Sequence, residues 1–401
     1  MKLTNLFPVL LGITLNVSLL DIKLGGYALG LLFIYSVIVI IQKRKVDFNH
    51  FYDCFPFVLY VIIYLFFFIL SEDYSQSIKQ LEKQIMVLVL PILIFIFVYN
   101  VKQFKTLINV YLIGLILISI VSCLMLEHFY YSNMKFISTM DSNYLQWKYP
   151  HLMEIHPSYW SYYLVVGNIL LLSNLSNLKY KINIIFQIVF NLNLFYLAGR
   201  SSLVINILIY LFFISYFCFK SLKLSKIKIL IISLILTMVM ALTFYQSPYL
   251  KSKLYNLKNN SDERFFLWKS AYEIIEDNYF VFGEGITNGE KSLKIYLDTN
   301  YEKDPRLKYN KFDIHNQYLK EYLDFGLIGL ISILLIILYP LRLIKKLNYV
   351  NLALICFSLL VFLSQFVESV FSRFQGKILI TTIFSILILA VRANNLKNKD
   401  K

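Results

Sequence analysis

Charge is what this chain has least of. Only 16% of its 401 residues are Asp, Glu, Lys or Arg, whereas 58% are hydrophobic. That balance is too apolar for one soluble core of this length and is ordinary for a polytopic protein whose solvent is the bilayer. Cysteine is scarce too. The four, Cys54, Cys123, Cys218 and Cys356, stand within apolar runs or at their ends, which excludes a disulfide-stapled scaffold and predicts unreactive thiols. Acids and bases are missing from the interiors of the apolar runs, where amides such as Asn168, Asn191, Asn193 and Asn206 are the polar residues. Ion-coupled transporters need intramembrane relays of ionisable groups, so their absence argues against that class. Metal-binding patterns are absent as well: neither H-E-x-x-H nor D-x-D occurs, and the offsets of His151, Glu154 and His156 do not share one helical face. No fixed-period repeat and no low-complexity tract is present. The first apolar run ends in Asn16-Val-Ser-Leu-Leu20 without a small-residue cleavage pattern, so it is expected to be retained.

What is there is a succession of apolar runs. A helical span takes about 20 apolar residues, and the chain offers about twelve candidates: 3–20, 24–42, 54–70, 85–99, 106–126, 157–173, 182–198, 201–219, 227–246, 326–341, 350–367 and 377–391. With the N-terminus inside, the inner connectors collect Lys43-Arg44-Lys45, Lys220, Lys223, Lys226, Arg342, Lys345 and Lys346 against the acids Asp47, Asp53 and Asp400. Nearly all of the formal +15 therefore lies on one side, as the positive-inside rule expects. Dispersed over short connectors, this charge reads as a topology signal and not as a nucleic-acid surface. The expected fold is an all-α polytopic membrane protein with about twelve transmembrane helices and one large extracytoplasmic loop. Its parts are N-terminal helices over 1–126, central helices over 127–246 with an outer loop at 127–156, the large loop at 247–325, and C-terminal helices with a tail over 326–401.

Loops longer than about 15 residues tend to carry function. The segment 127–156 is rich in aromatic and polar residues and runs into His156-Pro157-Ser-Tyr159, where the proline suits the first turn of a span. The segment 247–325 balances 12 Lys/Arg against 13 Asp/Glu. Within it, Ser261-Asp262-Glu263-Arg264 predicts a helix start, and Phe265, Trp268, Tyr272 and Ile275 predict one apolar stripe. Phe282-Gly283-Glu284-Gly285 reads as a turn in which glycine permits close backbone approach. Residues 286–312 read as irregular, and Asp313 as the N-cap of a helix that carries His315 into the tenth span.

Three outer-face cations stand out: Arg200 in a tight hairpin, Arg264 at a helix start, and Arg373. Positive charge is normally depleted there. A guanidinium binds phosphate oxygens through a planar fork, so a converging set suits a diphosphate, whereas isolated arginines simply reach lipid phosphates. His315 is the candidate for proton transfer, beside Asn316 as a ligand-orienting amide, with a capping or packing role as the plain alternative. His156 divides between structural and substrate-binding roles.

These motifs resemble those of the O-antigen ligase and O-antigen polymerase superfamily of bacterial envelope glycosyltransferases. The resemblance rests on His156-Pro-Ser-Tyr159, Gly199-Arg200-Ser201-Ser202, Arg264-x3-Trp268-x2-Ala271, Gly283-Glu-Gly285, and His315-Asn316-x-Tyr318-Leu319 leading to Gly326-x2-Gly329. It covers mainly residues 150–340; the first five spans carry no recognisable signature, and two phenylalanines follow Arg264 where the family pattern does not demand them. The resemblance implies a GT-C-like fold in the bacterial inner membrane and a metal-independent, cofactor-free inverting transfer at the outer face. Glycan would pass from undecaprenyl diphosphate to an acceptor hydroxyl on a glycan or lipid, by ligation or by repeat-unit polymerisation. It implies that His315, Arg200 and Arg264 are catalytic. His156, Tyr159, Asn316, Tyr318, Trp268, Gly283, Gly285 and Arg373 would bind substrate. A polysaccharide flippase or other transporter is the rival expectation and predicts a polar central cavity with short outer loops. A scaffold, the third class, predicts no dependence on single loop residues.

Overall fold

The computed structural model describes residues 5–43, 51–71, 73–98, 100–132, 143–176, 178–197, 199–223, 225, 227–228, 263–278, 281–286, 288–301 and 313–397. Among these residues there is no strand. The helices are α1 (Phe7–Leu20), α2 (Ile22–Lys43), α3 (Phe55–Ile69), α4 (Tyr74–Phe97), α5 (Val101–Ser132), α6 (Asn143–Leu152), α7 (Pro157–Leu172), α8 (Tyr180–Leu197), α9 (Arg200–Lys220), α10 (Glu263–Asn278), α11 (Asn288–Tyr301), α12 (Gln317–Leu338), α13 (Tyr349–Ser364) and α14 (Phe374–Lys397). Every apolar run expected to span overlies one of them except 227–246, of which all but 227–228 lie outside the described residues. Among the described residues seven helices are long and apolar enough to cross a membrane, and the other described runs form shorter ones. At 1.5 Å per residue, α7 with its 16 residues is about 24 Å long, less than a hydrocarbon core of about 30 Å. The chain is thus an all-α, multi-pass membrane protein.

Helix α14 is the hub: 94% of its apolar window is buried, against 22% for α2 at the edge. It packs on α4, α13 and α1. Thr381, Thr382 and Ser385 are buried in it, and the hydroxyls of Thr381 and Ser385 donate to the carbonyls of Lys377 (2.6 Å) and Thr381 (2.7 Å), four residues back. Small side chains that satisfy themselves in this way let neighbouring backbones come close. Amides join α7, α8 and α9. Asn168 donates to Asn206 (3.1 Å), Asn206 to Asn191 (2.8 Å), and Asn191 to the Tyr210 hydroxyl (2.8 Å). In a bilayer such bonds contribute on average about 0.6 kcal/mol each.

Two loop expectations need correction. Residues 288–301 are helical because Leu293 and Leu297, four apart, are fully buried beneath α10 and α12. The buried stripe of α10 is Leu267, Ala271 and Ile274, with Trp268 and Ile275 partly buried, while Tyr272 is 58% exposed. The two helices form a small satellite core with Ile314 and Leu323, and that core fixes the start of α12.

Helix α12 is broken at Gly326, whose φ of 66° and ψ of −153° no helix contains. Such a break strands carbonyls of the preceding turn. The Gly283-Glu284-Gly285 turn supplies their partners: Glu284 N donates to Leu323 O (3.0 Å) and Gly285 N to Asp324 O (2.8 Å). The approach requires glycine on both sides. A Cβ on Gly283 would lie 2.4 Å from Leu323 O, and one on Gly326 would lie 2.3 Å from Val281 O. Gly326→Ala is therefore expected to cost about 2 kcal/mol or more through its left-handed φ and this clash. Thermal unfolding of the purified protein in detergent, against a Gly30→Ala control where an added Cβ meets nothing within 4 Å, measures it; equal midpoints would contradict the docking.

Candidate active site around Glu368

The site is built on the entry to α12. Asn316 is the N-cap, its side chain accepting from Tyr318 N (3.0 Å) and Leu319 N (3.1 Å). Asp313, expected in that role, instead accepts from His315 N (3.1 Å), and His315 stands just outside the helix with φ of +50°. A left-handed histidine is strained, and the Asp313 bond helps to hold it. Asp313 also accepts from Ser369 Oγ (2.8 Å) and faces Arg373 Nη2 (3.4 Å). Burial alone would raise the Asp313 carboxyl, but the charge of His315 and the hydrogen bonds from Ser369 and His315 hold it below the ordinary carboxylate value.

The residues 365–373, between α13 and α14, cross this entry. Gln317 fastens them: its N donates to Gln365 O (2.9 Å) and its Oε1 accepts from Phe371 N (2.8 Å). The Gln317 amide is oriented in turn by Glu321, whose Oε1 accepts from Gln317 Nε2 (2.7 Å) and from the Tyr60 hydroxyl of α3 (2.9 Å).

At the centre lies Glu368, with a side chain only 6% exposed. Its Oε1 accepts from Ser158 Oγ (2.9 Å) and from Arg264 Nη2 (3.2 Å), and its Oε2 faces His315 Nδ1 (3.4 Å). Burial pushes its pKa upward, but the His315 bond and the charges of Arg264, His315 and His156 outweigh that and hold it below the ordinary value. Glu368 is thus an anion, so the His315 Nδ1 that faces it is the nitrogen that carries a proton toward it. An acid that fixes the tautomer of a histidine and would stabilise its protonated form is the arrangement of a general base. His156 stands within electrostatic reach of Glu368, Arg373, His315 and Arg264, and desolvation together with the three cations lowers its pKa against the pull of Glu368.

His315, Arg264, Arg373 and His156 are thus brought into one cluster. Arg200 opens α9 next to α7, where a Cβ on Gly199 would meet Ser161 Oγ at 3.0 Å. Other expected binding residues have structural attachments. The Trp268 indole donates to Ile314 O (2.8 Å), and the Tyr318 hydroxyl donates to Phe362 O (2.9 Å). Asn316 caps α12, Gly283 and Gly285 dock on the break in that helix, and Tyr159 is buried with its ring 5.3 Å from that of His156. Glu368, Ser158 and Ser369 did not stand out in the sequence. A signal for Glu368 exists there: it is the sole acidic residue between Tyr349 and Lys397, and an acid set between two apolar runs calls for a partner.

Residues 185–334 match the family model for O-antigen ligase. Over that segment the chain is similar to the O-antigen ligase family. No curated protein matches it. The matched segment contains Arg200, Arg264 and His315 and ends before Glu368, so the carboxylate that joins two of these residues comes from outside it.

Replacing Glu368 by Gln keeps the shape and removes the charge, leaving Arg264 and His315 without their shared anion. We expect a loss of about 2 kcal/mol, from charge-assisted bonds worth about 1.5–3 kcal/mol each, discounted because Arg264 and His315 are each 32% exposed. The pH sign follows from a depressed folded-state pKa: the stabilisation is present above the unfolded value and disappears as pH falls through the folded one. Unfolding midpoints of wild type and Glu368→Gln should therefore differ at neutral pH and converge in acid. A pH-independent difference would show that the Glu368 charge is not what stabilises the cluster.

Proposed function

We propose that this protein is a glycosyltransferase that moves glycan from undecaprenyl diphosphate to an acceptor hydroxyl at the outer face of the bacterial inner membrane, as a ligase or a repeat-unit polymerase. The observation that carries this reading is the shared carboxylate: one buried Glu368 holds both a guanidinium and an imidazole. A group suited to a diphosphate and a group suited to a hydroxyl proton are thereby kept within the reach of one bound substrate pair.

In this reading the acceptor hydroxyl gives its proton to His315 Nε2 as its oxygen attacks the anomeric carbon. The bond from that carbon to the diphosphate oxygen breaks from the opposite side, its electron pair leaves with the diphosphate, and configuration inverts. Arg264 and Arg200 stabilise the charge that grows on the leaving group, and Glu368 stabilises the imidazolium. Positioned proton transfer contributes about 10²- to 10⁴-fold to rate. His315→Ala should therefore lose that factor in transfer by purified protein from a defined undecaprenyl diphosphate donor while still binding the donor. A correctly inserted variant within about threefold of wild type, far short of that range, would remove His315 from the chemistry.

Arg200→Lys and Arg264→Lys test the donor side. A lysine keeps the charge and loses the two parallel hydrogen bonds of the fork, so both variants should weaken undecaprenyl diphosphate binding at equal abundance in the membrane. Wild-type affinity in both would leave the diphosphate without these ligands.

A further inference from the structure

Residues 365–373 are tied to the entry of α12 at three places around Glu368. Gln317 N donates to Gln365 O (2.9 Å), Ser369 Oγ donates to Asp313 (2.8 Å), and Phe371 N donates to Gln317 Oε1 (2.8 Å). On the α12 side, Asp313 and Gln317 stand two residues to either side of His315. On the opposite side, Gln365 and Phe371 stand three residues to either side of Glu368. Gln317 thus holds both ends of the stretch centred on the carboxylate while standing next but one to the histidine. It is only 1% exposed. The motif around His315 leaves position 317 open, so this attachment is a feature of the present chain's own residues.

The Gln317 side chain meets a need that the backbone leaves open. Phe371 N lies in the first turn of the short helical segment Val370–Ser372, where an N–H has no carbonyl of its own turn to meet. Phe371 is 0% exposed, so water does not meet it either. An amide can present its oxygen or its nitrogen, and only the oxygen satisfies Phe371 N. Glu321, four residues along α12 and 1% exposed, decides between them. Its Oε1 accepts from Gln317 Nε2 (2.7 Å) and from the Tyr60 hydroxyl (2.9 Å), with the Tyr64 hydroxyl at 3.4 Å. The amide nitrogen is thereby turned toward Glu321 and the oxygen toward Phe371, whose ring packs 5.6 Å from that of Tyr60. The contact that this clamp serves has little slack. Glu368 Oε2 stands 3.4 Å from His315 Nδ1, beyond the usual N–H···O range of about 2.7–3.2 Å, so a further shift of the 365–373 segment would part them.

We infer that Gln317 is a positioning residue: by clamping Gln365 and Phe371 it holds Glu368 against His315, and it acts on the reaction only through that pair. The role rests on the transfer reading for what His315 does, but the placement can be tested without turnover. Gln317→Met keeps the volume of the side chain and removes both of its hydrogen bonds, while the bond from the backbone N of residue 317 to Gln365 O stays. Gln317→Asn, whose amide is one methylene short of both partners, takes its place should Gln317→Met fail to fold. In transfer from a defined undecaprenyl diphosphate donor we expect the rate at saturating substrate to fall about 10- to 100-fold, since a displacement of about 1 Å can cost about 10²-fold. Donor affinity should not change. In a His315→Ala background the same substitution should cost less than about threefold, because residues that act as a unit are not additive. The drop in unfolding midpoint caused by Glu368→Gln at neutral pH should shrink to about half or less in the Gln317→Met protein, a coupling that independent sites do not show. Wild-type transfer in a folded Gln317 variant would overturn the role, and so would additive midpoints. Should His315→Ala itself turn over like wild type, the transfer reading fails, and the midpoints alone then decide: coupling sustains the placement of Glu368 by Gln317, and additivity overturns it.

Discussion

A carboxylate that is 94% removed from water is tolerable only if its charge is met on several sides, and the architecture around Glu368 follows from that requirement. Its partners come from α7 (Ser158), from α10 (Arg264) and from the strained residue that precedes α12 (His315). None of these is close in sequence to the others. Each must be delivered by its own device: a proline-started helix for Ser158, the satellite core beneath α10 for Arg264, and the Asp313 and Asn316 caps on either side of His315. In this way burial of a single anion converts four separate segments into one constellation.

The second device is the break in α12. A continuous helix would satisfy Leu323 and Asp324 internally and would leave the 281–286 turn with no reason to approach. With Gly326 left-handed, these carbonyls require external donors, and the turn that supplies them also links α10 to α11. The satellite core is thereby bonded to the membrane-embedded bundle through backbone groups, which side-chain substitutions elsewhere do not disturb. The two glycines expected to contact substrate have this attachment in common, and it accounts for their spacing independently of any ligand.

The helices were legible because apolar runs of span length have few alternative fates in a chain this poor in charge, and Pro157 marked the start of α7. Arg264 was legible as a cation at a helix start within the large loop, and His315 as the polar residue that leads into the tenth span. What could not be read was which edges meet. The carboxylate of Glu368 is 53 residues beyond His315 and 104 beyond Arg264, and no periodicity connects such positions. The α11 helix was missed because Leu293, Ile295, Tyr296 and Leu297 fall together without a helical period, Ile295 being 66% exposed, and the cap was placed at Asp313 because both Asp313 and Asn316 are good capping residues. The left-handed turn at His315 separates the two and leaves Asn316 next to the first helical residue.

The central helix carries the same logic to the opposite end of the bundle. Asp53, 1% exposed, accepts from Arg392 through two nitrogens (2.5 and 2.8 Å) and from Arg342 (3.1 Å). Arg392 lies near the end of α14, and Arg373 at its start faces Asp313. A nearly all-apolar helix could slide by one turn, about 5.4 Å, with little change in the area it buries. Such a slip would strand Asp53 in a low-dielectric interior, and removing one partner of a buried pair costs about 3–5 kcal/mol. The ion pairs therefore contribute less to net stability than to register. It is register that sets the height of the 365–373 segment, and with it the position of Glu368 between Arg264 and His315.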